Sequence, residues 1–208
     1  MVGVAHLFFN VPHIKDYMKF TAGHLFHIYN RGNNKQEIFF KEENYFFFLR
    51  KVRKYIYPYC DILSYCLMQN HFHFLIHANS LTVSKNTKDK NLLSEGFKQL
   101  LSSYSKAINV QENRTGSLFT QNTHCKIVDN NQNHALTCFL YIHQNPMKAG
   151  LVKKMEDWPF SSFRDYCSLR NGTICKKEFA CELLNLRSDS FYSLSHEVIP
   201  KDNLVNIF

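Results

Sequence analysis

Residues 71–77 read HFHFLIH, apolar and histidine residues alternating along one short run. Successive side chains of an extended strand point to opposite faces. Phe72, Phe74 and Ile76 therefore share one face, which explains itself as core, while His71, His73 and His77 share the other with Leu75. A strand that builds core on one side and lines up imidazoles on the other suggests a metal site. The spacing alone proves little, because a chain with 11 histidines produces His-x-His readily by chance, and partly buried or surface histidines are the competing reading.

The flanking sequence supplies the rest of a sheet. HLFHIYN (24–30) reads as a strand that stops at the Gly- and Asn-rich turn RGNN, and DILSYCL (61–67) is a second strand led through MQN into the histidine strand. Between them Tyr45, Phe48, Leu49, Val52 and Ile56 recur at helical spacing and end before Pro58. Arg50, Lys51, Arg53 and Lys54 cluster near that helix's carboxyl end, either as a solvated face favoured by the helix dipole or as phosphate contacts. A polar loop over 80–91 precedes a second amphipathic helix marked by Leu93, Phe97, Leu100, Leu101, Tyr104 and Ile108. After a further loop at 111–117, HCKIV (124–128) predicts a fourth strand, and a third helix runs from a cap at Asp129 or Asn130 and stops at Pro146.

This order predicts an α+β protein: a ferredoxin-like split β-α-β-β-α-β sandwich, an antiparallel sheet with helices on one face and the other face free for a ligand. The third helix and a C-terminal extension follow. The expected organisation is an N-terminal extension over 1–20, a catalytic domain over 21–152 and a C-terminal extension over 153–208.

On the third helix Leu136, Phe139 and Leu140 form an apolar stripe, and His134, Thr137, Tyr141 and Asn145 another. Tyr141 and Asn145, four apart, lie one above the other. A tyrosine with pKa near 10 is a poor nucleophile at neutral pH, and becomes useful when a divalent cation polarises the group under attack. Two imidazoles from His71 and His73 with an amide oxygen from Asn145 leave open positions that suit Mg²⁺ or Mn²⁺, though imidazole also suits zinc. The bland alternative is an aromatic packing residue and a helix-end cap. His143, two residues from Tyr141, faces elsewhere on a helix, and His77 lies too far along its strand.

The formal net charge of +8 and a pI near 9.1 suggest an anionic partner, nucleic acid or a membrane surface. Seven irregularly spaced cysteines without a C-x-x-C pair fit reduced thiols in a cytoplasm better than a disulfide framework or a zinc knuckle. The apolar start MVGVAHLFFNVP is too short to span a bilayer and lacks a basic leader, so neither a signal peptide nor a membrane partner is expected.

FHIYNRGNNKQEIFF (26–40), SYCLMQNHFHFLIH (64–77), TGSLF (115–119), YIHQNPMKAGLV (141–152) and DWPFSSFRDY (157–166) stand in an order and spacing that resembles the single-tyrosine HUH transposases, insertion-sequence-200-like, and especially their REP-associated branch. The resemblance spans about residues 24–168. It implies a ferredoxin-like enzyme that nicks and rejoins single-stranded DNA, often at a hairpin, through a 5′-phosphotyrosine. His71 and His73 then match the metal-holding pair, Tyr141 the nucleophile, and Asn145 a third metal-binding group, with Mg²⁺ or Mn²⁺ as cofactor. Arg31 and Lys148 are expected DNA phosphate contacts, and the protein acts as a monomer or a homodimer. Gln69 stands where the family commonly has proline, which predicts a looser turn into the metal strand, and TQNTHCK lacks the arginine-rich pattern expected after TGSLF. The alternatives are a non-catalytic single-stranded nucleic-acid-binding module, a replication or relaxase-type nickase, and a decayed, domesticated transposase.

Overall fold

A computed structural model describes residues 19–84, 90–128 and 132–204. The caps expected at Asp129 or Asn130, most of the N-terminal extension and part of the 80–91 loop lie outside the described residues. Four strands, β1 (Leu25–Arg31), β2 (Cys60–Met68), β3 (His71–Ala78) and β4 (His124–Ile127), form one antiparallel sheet in the order β2-β3-β1-β4. The insertion of β3 between β1 and β2 is the split β-α-β arrangement, and the fold is α+β as expected.

Two helices, α1 (Glu42–Tyr55) and α2 (Leu92–Gln111), pack on each other. Glu42 and Glu43 in the first turn of α1 and Arg53 and Lys54 in its last turn match its dipole, and Asn91 caps α2 by accepting from the Ser94 amide at 3.0 Å. The phenylalanine face of β3 meets these helices: the Phe48 ring of α1 lies 5.4 Å from Phe72 and 6.5 Å from Phe74, and both strand residues are fully buried. Tyr104 of α2 packs edge-on to Phe48 and donates its buried hydroxyl to the Ile38 carbonyl at 2.7 Å. A buried phenol needs such a partner, because leaving it unpaired costs about 1–3 kcal/mol.

The opposite face is free only in part. Helix α3 (Gln132–Lys148) lies across β2 and β3 on the histidine side, which corrects the expectation of an open sheet face. It does so because it is apolar on more than one stripe: Ala135, Cys138, Phe139 and Ile142 are all buried. The helix also does not stop at Pro146. A proline inside a helix removes the donor to the carbonyl four residues back. Here that carbonyl belongs to Ile142, and the Asn145 side-chain amide donates to it at 3.5 Å and to the Tyr141 carbonyl at 2.9 Å. The helix ends just afterwards at Gly150, whose φ of +71° suits the left-handed turn of a helix stop.

The chain beyond Leu151 closes over the back of α3 and the edge of β2. Trp158 donates its ring N–H to the Leu67 carbonyl at 3.0 Å, and Phe160 stacks 3.7 Å from Tyr45. Buried Asp165 accepts from Arg170 Nε at 2.6 Å, and Arg170 reaches on to Tyr65 and to the carbonyls of Pro159 and Ser161, so the buried charge is paired and its donors are satisfied. His143, on the rear of α3, is sealed among Phe139, Phe163, Tyr166 and Phe191, with Nε2 2.7 Å from Ser162 Oγ. Among the described residues no helix is long and apolar enough to cross a membrane.

Burial holds the His143 imidazole neutral, lowering its pKa to about 3. In the unfolded chain it titrates near 6.5. The folded state therefore binds the proton more weakly, and the stability that neutral His143 supports is present above pH ~6.5 and lost as pH falls toward the folded value. Between pH 7 and pH 5 this one residue should cost about 2 kcal/mol. Urea melts at the two pH values should show a drop larger by that amount in the wild type than in His143→Gln.

Candidate active site

Register on the histidine face decides what meets what. Across β1 and β3, Arg31 stands opposite His71 and Tyr29 opposite His73, and on the far side of β1 Tyr29 stands opposite His124 of β4. Tyr141 of α3 comes down onto the same spot: its ring lies 5.8 Å from that of His73, nearly perpendicular, and 6.5 Å from that of His27. All of these except the fully buried His27, with Asn30, Lys35 and Asn70, line a cleft of about 480 Å³. Among the described residues the lining contains the cations Arg31 and Lys35 and no carboxylate, so the cleft favours an anion.

The turns at the cleft's end are tied down. Gly32 donates to the Asn70 carbonyl at 2.7 Å, and a side chain there would place Cβ 2.0 Å from the Gln36 carbonyl oxygen. Gln69 holds the amides of Ile38 and Phe39 on its carbonyl at 2.9 and 3.1 Å. The turn entering β3 is thus anchored through its backbone, and the absence of a proline at Gln69 does not loosen it.

Each imidazole of the pair is fixed through one nitrogen. His71 Nδ1 lies 2.6 Å from Asn70 Oδ1, and the Asn70 amide nitrogen donates to the Lys35 carbonyl at 3.3 Å. A carbonyl oxygen only accepts, so His71 carries its proton on Nδ1 and keeps the Nε2 lone pair bare. His73 Nδ1 lies 2.9 Å from His27 Nε2 in a buried contact; the tautomer in which His73 donates leaves its Nε2 bare as well. Burial, then the nearby Arg31 charge, lowers the His71 pKa to about 4. His73 is lowered well below the ordinary value by burial and by the neighbouring His27 and His71. Both rings are therefore neutral donors near pH 7, the form that ligates a metal. Among the described residues no group of three histidine, cysteine or carboxylate side chains gathers for a metal.

The Tyr141 hydroxyl is pushed up to about 12, mainly by burial. Lys148 Nζ lies 5.4 Å from the centre of the Tyr141 ring, close enough for its charge to favour an electron-rich phenol. Asn145 is buried one turn on, with its amide N–H groups turned to the helix carbonyls. His71, His73, Tyr141 and Arg31 thus converge on one cleft, Lys148 reaches it over the tyrosine ring, and Asn145 sits behind Tyr141 as the residue that also repairs the helix around Pro146. His143 faces away, and His77 pairs with Asp61 at 3.4 Å at the far end of the sheet. Four further residues belong to the site: His27, Tyr29, Asn70 and His124. The signal for three of them lay in FHIYN and HCKIV, where His27, Tyr29 and His124 fall on one face once β1 is set beside β3 and β4.

No family model matches the chain, and no curated protein matches it. Among solved structures it is similar to one described as a REP-associated tyrosine transposase bound to a REP hairpin. The two are 16% identical over 74% of this chain and 86% of that one, with a TM-score of 0.55. The shared feature is the fold.

Long-range ¹H–¹⁵N spectra of the histidine rings should show His71 as the Nδ1–H tautomer at neutral pH, still uncharged at pH 5. An Nε2–H signal for His71, or titration near the ordinary value, would contradict the arrangement described.

Proposed function

We propose that the chain is a single-tyrosine HUH transposase of the REP-associated type, which nicks and rejoins single-stranded DNA. The observation that carries this reading is the meeting of Tyr141 with the His71–His73 pair in a cleft whose charged lining is basic. The similarity to a transposase structure holding a DNA hairpin supports it, as do the five sequence blocks and the net charge of +8.

The two imidazoles fit a divalent ion, which His71 and His73 would hold through Nε2. Asn145, one turn behind Tyr141, would have to reach past that ring for its amide oxygen to join them, and oxygen-rich remaining positions favour Mg²⁺ or Mn²⁺. When bound, such an ion draws negative charge from the scissile phosphate. The hydrogen bonds that the two imidazoles make to Asn70 and His27 orient them. Arg31 and Lys148 contact DNA phosphates and set the strand's register. Tyr141 Oη then forms a bond to phosphorus while the bond to the 3′-oxygen breaks, and the phenolic proton ends on the departing 3′-hydroxyl. The strand is left as a 5′-phosphotyrosine, whose bond energy lets another 3′-hydroxyl reverse the step and join a new strand. A tyrosine in place of a water as nucleophile keeps that link, which hydrolysis would discard.

The protein should be incubated with labelled single-stranded DNA from the gene's flanks, with Mn²⁺, Mg²⁺ or chelator, and resolved on denaturing gels. A metal-dependent covalent adduct is expected, lost in Tyr141→Phe and reduced by two orders of magnitude or more in His73→Ala. Tight binding with no adduct on any flanking hairpin would favour a binding module or a decayed transposase. An adduct that survives Tyr141→Phe would assign the nucleophile to another residue.

A further inference from the structure

Three rings stand side by side across the sheet, leading from the site to its edge. His73 faces Tyr29 with ring centres 5.5 Å apart and planes 27° apart, and Tyr29 faces His124 at 4.7 Å and 5°. Exposure rises along this column, from His73 at 3% through half-buried Tyr29 to exposed His124. Among the described residues the column ends there, because β4 is the edge strand of the sheet.

A stack that served only to brace His73 would be covered at its outer end. This one is presented to solvent in the same cleft as Tyr141. Near-parallel aromatic rings at an exposed end are the geometry that a nucleobase continues, since every base has a π-face and single-stranded nucleic acids bind by stacking on such rings. Arg31 and Lys35, in the same lining, would meet the phosphates of the same strand.

We propose that His124, backed by Tyr29, is a stacking platform for one unpaired base of the DNA strand that enters the cleft. The platform deepens the strand-nicking reading and rests on it for the identity of the ligand. It would fix which phosphate lies at Tyr141, so it positions the strand rather than taking part in bond breaking.

The test is equilibrium binding, without divalent metal and therefore without cleavage. Fluorescence anisotropy would follow a fluorescein-labelled DNA hairpin from the gene's flanks, carrying single-stranded tails with one abasic site walked along them. In the wild type, removing the base at one tail position should weaken binding on the order of tenfold. His124→Ala should weaken the intact hairpin by a similar factor and abolish the sensitivity at that position, and His124→Trp should restore both. Tyr29→Ala should reproduce the His124→Ala pattern. If the abasic and His124→Ala losses multiply, or no tail position is sensitive in a wild type that binds, the platform is overturned. Binding with the expected pattern, but no covalent adduct when Mn²⁺ or Mg²⁺ is then added to the same complexes, would overturn the nicking reading and leave the platform in place. No binding of any tailed hairpin would overturn both.

Discussion

Everything in this molecule depends on the pleat of β3. The strand lies inside the sheet, between β1 and β2, so its register is held on both sides and its two rows of side chains cannot exchange places. Phe72 and Phe74 are locked under α1 by ring packing, and that same locking turns His71 and His73 toward α3. Burying the phenylalanines supplies a hydrophobic gain of order 2–3 kcal/mol each. The orientation of the imidazoles follows from it at no separate cost.

The histidines are then treated differently from one another. His71 is half-buried at the mouth of the cleft, held by Asn70, and His73 is buried deeper, held by His27. Desolvation keeps both neutral and so keeps lone pairs available, the Arg31 charge opposes protonation of His71 further, and the basic groups around the cleft, Arg31, Lys35 and Lys148, draw in an anion. Burial that would be an unrewarded cost in a structural strand becomes useful if a metal is the intended occupant. Tyr141 shares the logic: burial raises its pKa, which makes it a poor nucleophile unaided and ties its reactivity to whatever occupies the cleft.

Much of the framework was legible in the sequence because it rests on local periodicity. The alternation of HFHFLIH predicted the core and site faces of β3, and the helical spacing of Tyr45 to Ile56 and of Leu93 to Ile108 marked α1 and α2. Two expectations failed for reasons that local patterns do not carry. Pro146 reads as a stop, yet the Asn145 amide supplies the donor that proline lacks and the helix continues. The histidine face reads as open, yet α3 covers part of it because Cys138 and Ile142 are apolar outside the stripe of Leu136, Phe139 and Leu140. His27 was invisible as a partner of His73 because the two are 46 residues apart and meet only through strand pairing. The stack of Tyr29 on His124, which needs β1 beside β4, was hidden in the same way.

The central claim is that His71 and His73 together present bare imidazole nitrogens to one divalent ion beside Tyr141. Electron spin-echo envelope modulation of the Mn²⁺-loaded protein, in the absence of DNA, tests it most directly, because the nitrogen of a coordinated imidazole modulates the manganese echo. Coupling to both rings is expected, with one lost in His71→Ala, one in His73→Ala and neither in Tyr141→Phe. Manganese that shows no nitrogen coupling, or coupling indifferent to both histidine substitutions, would contradict the assignment of this cleft as the metal-bearing active site.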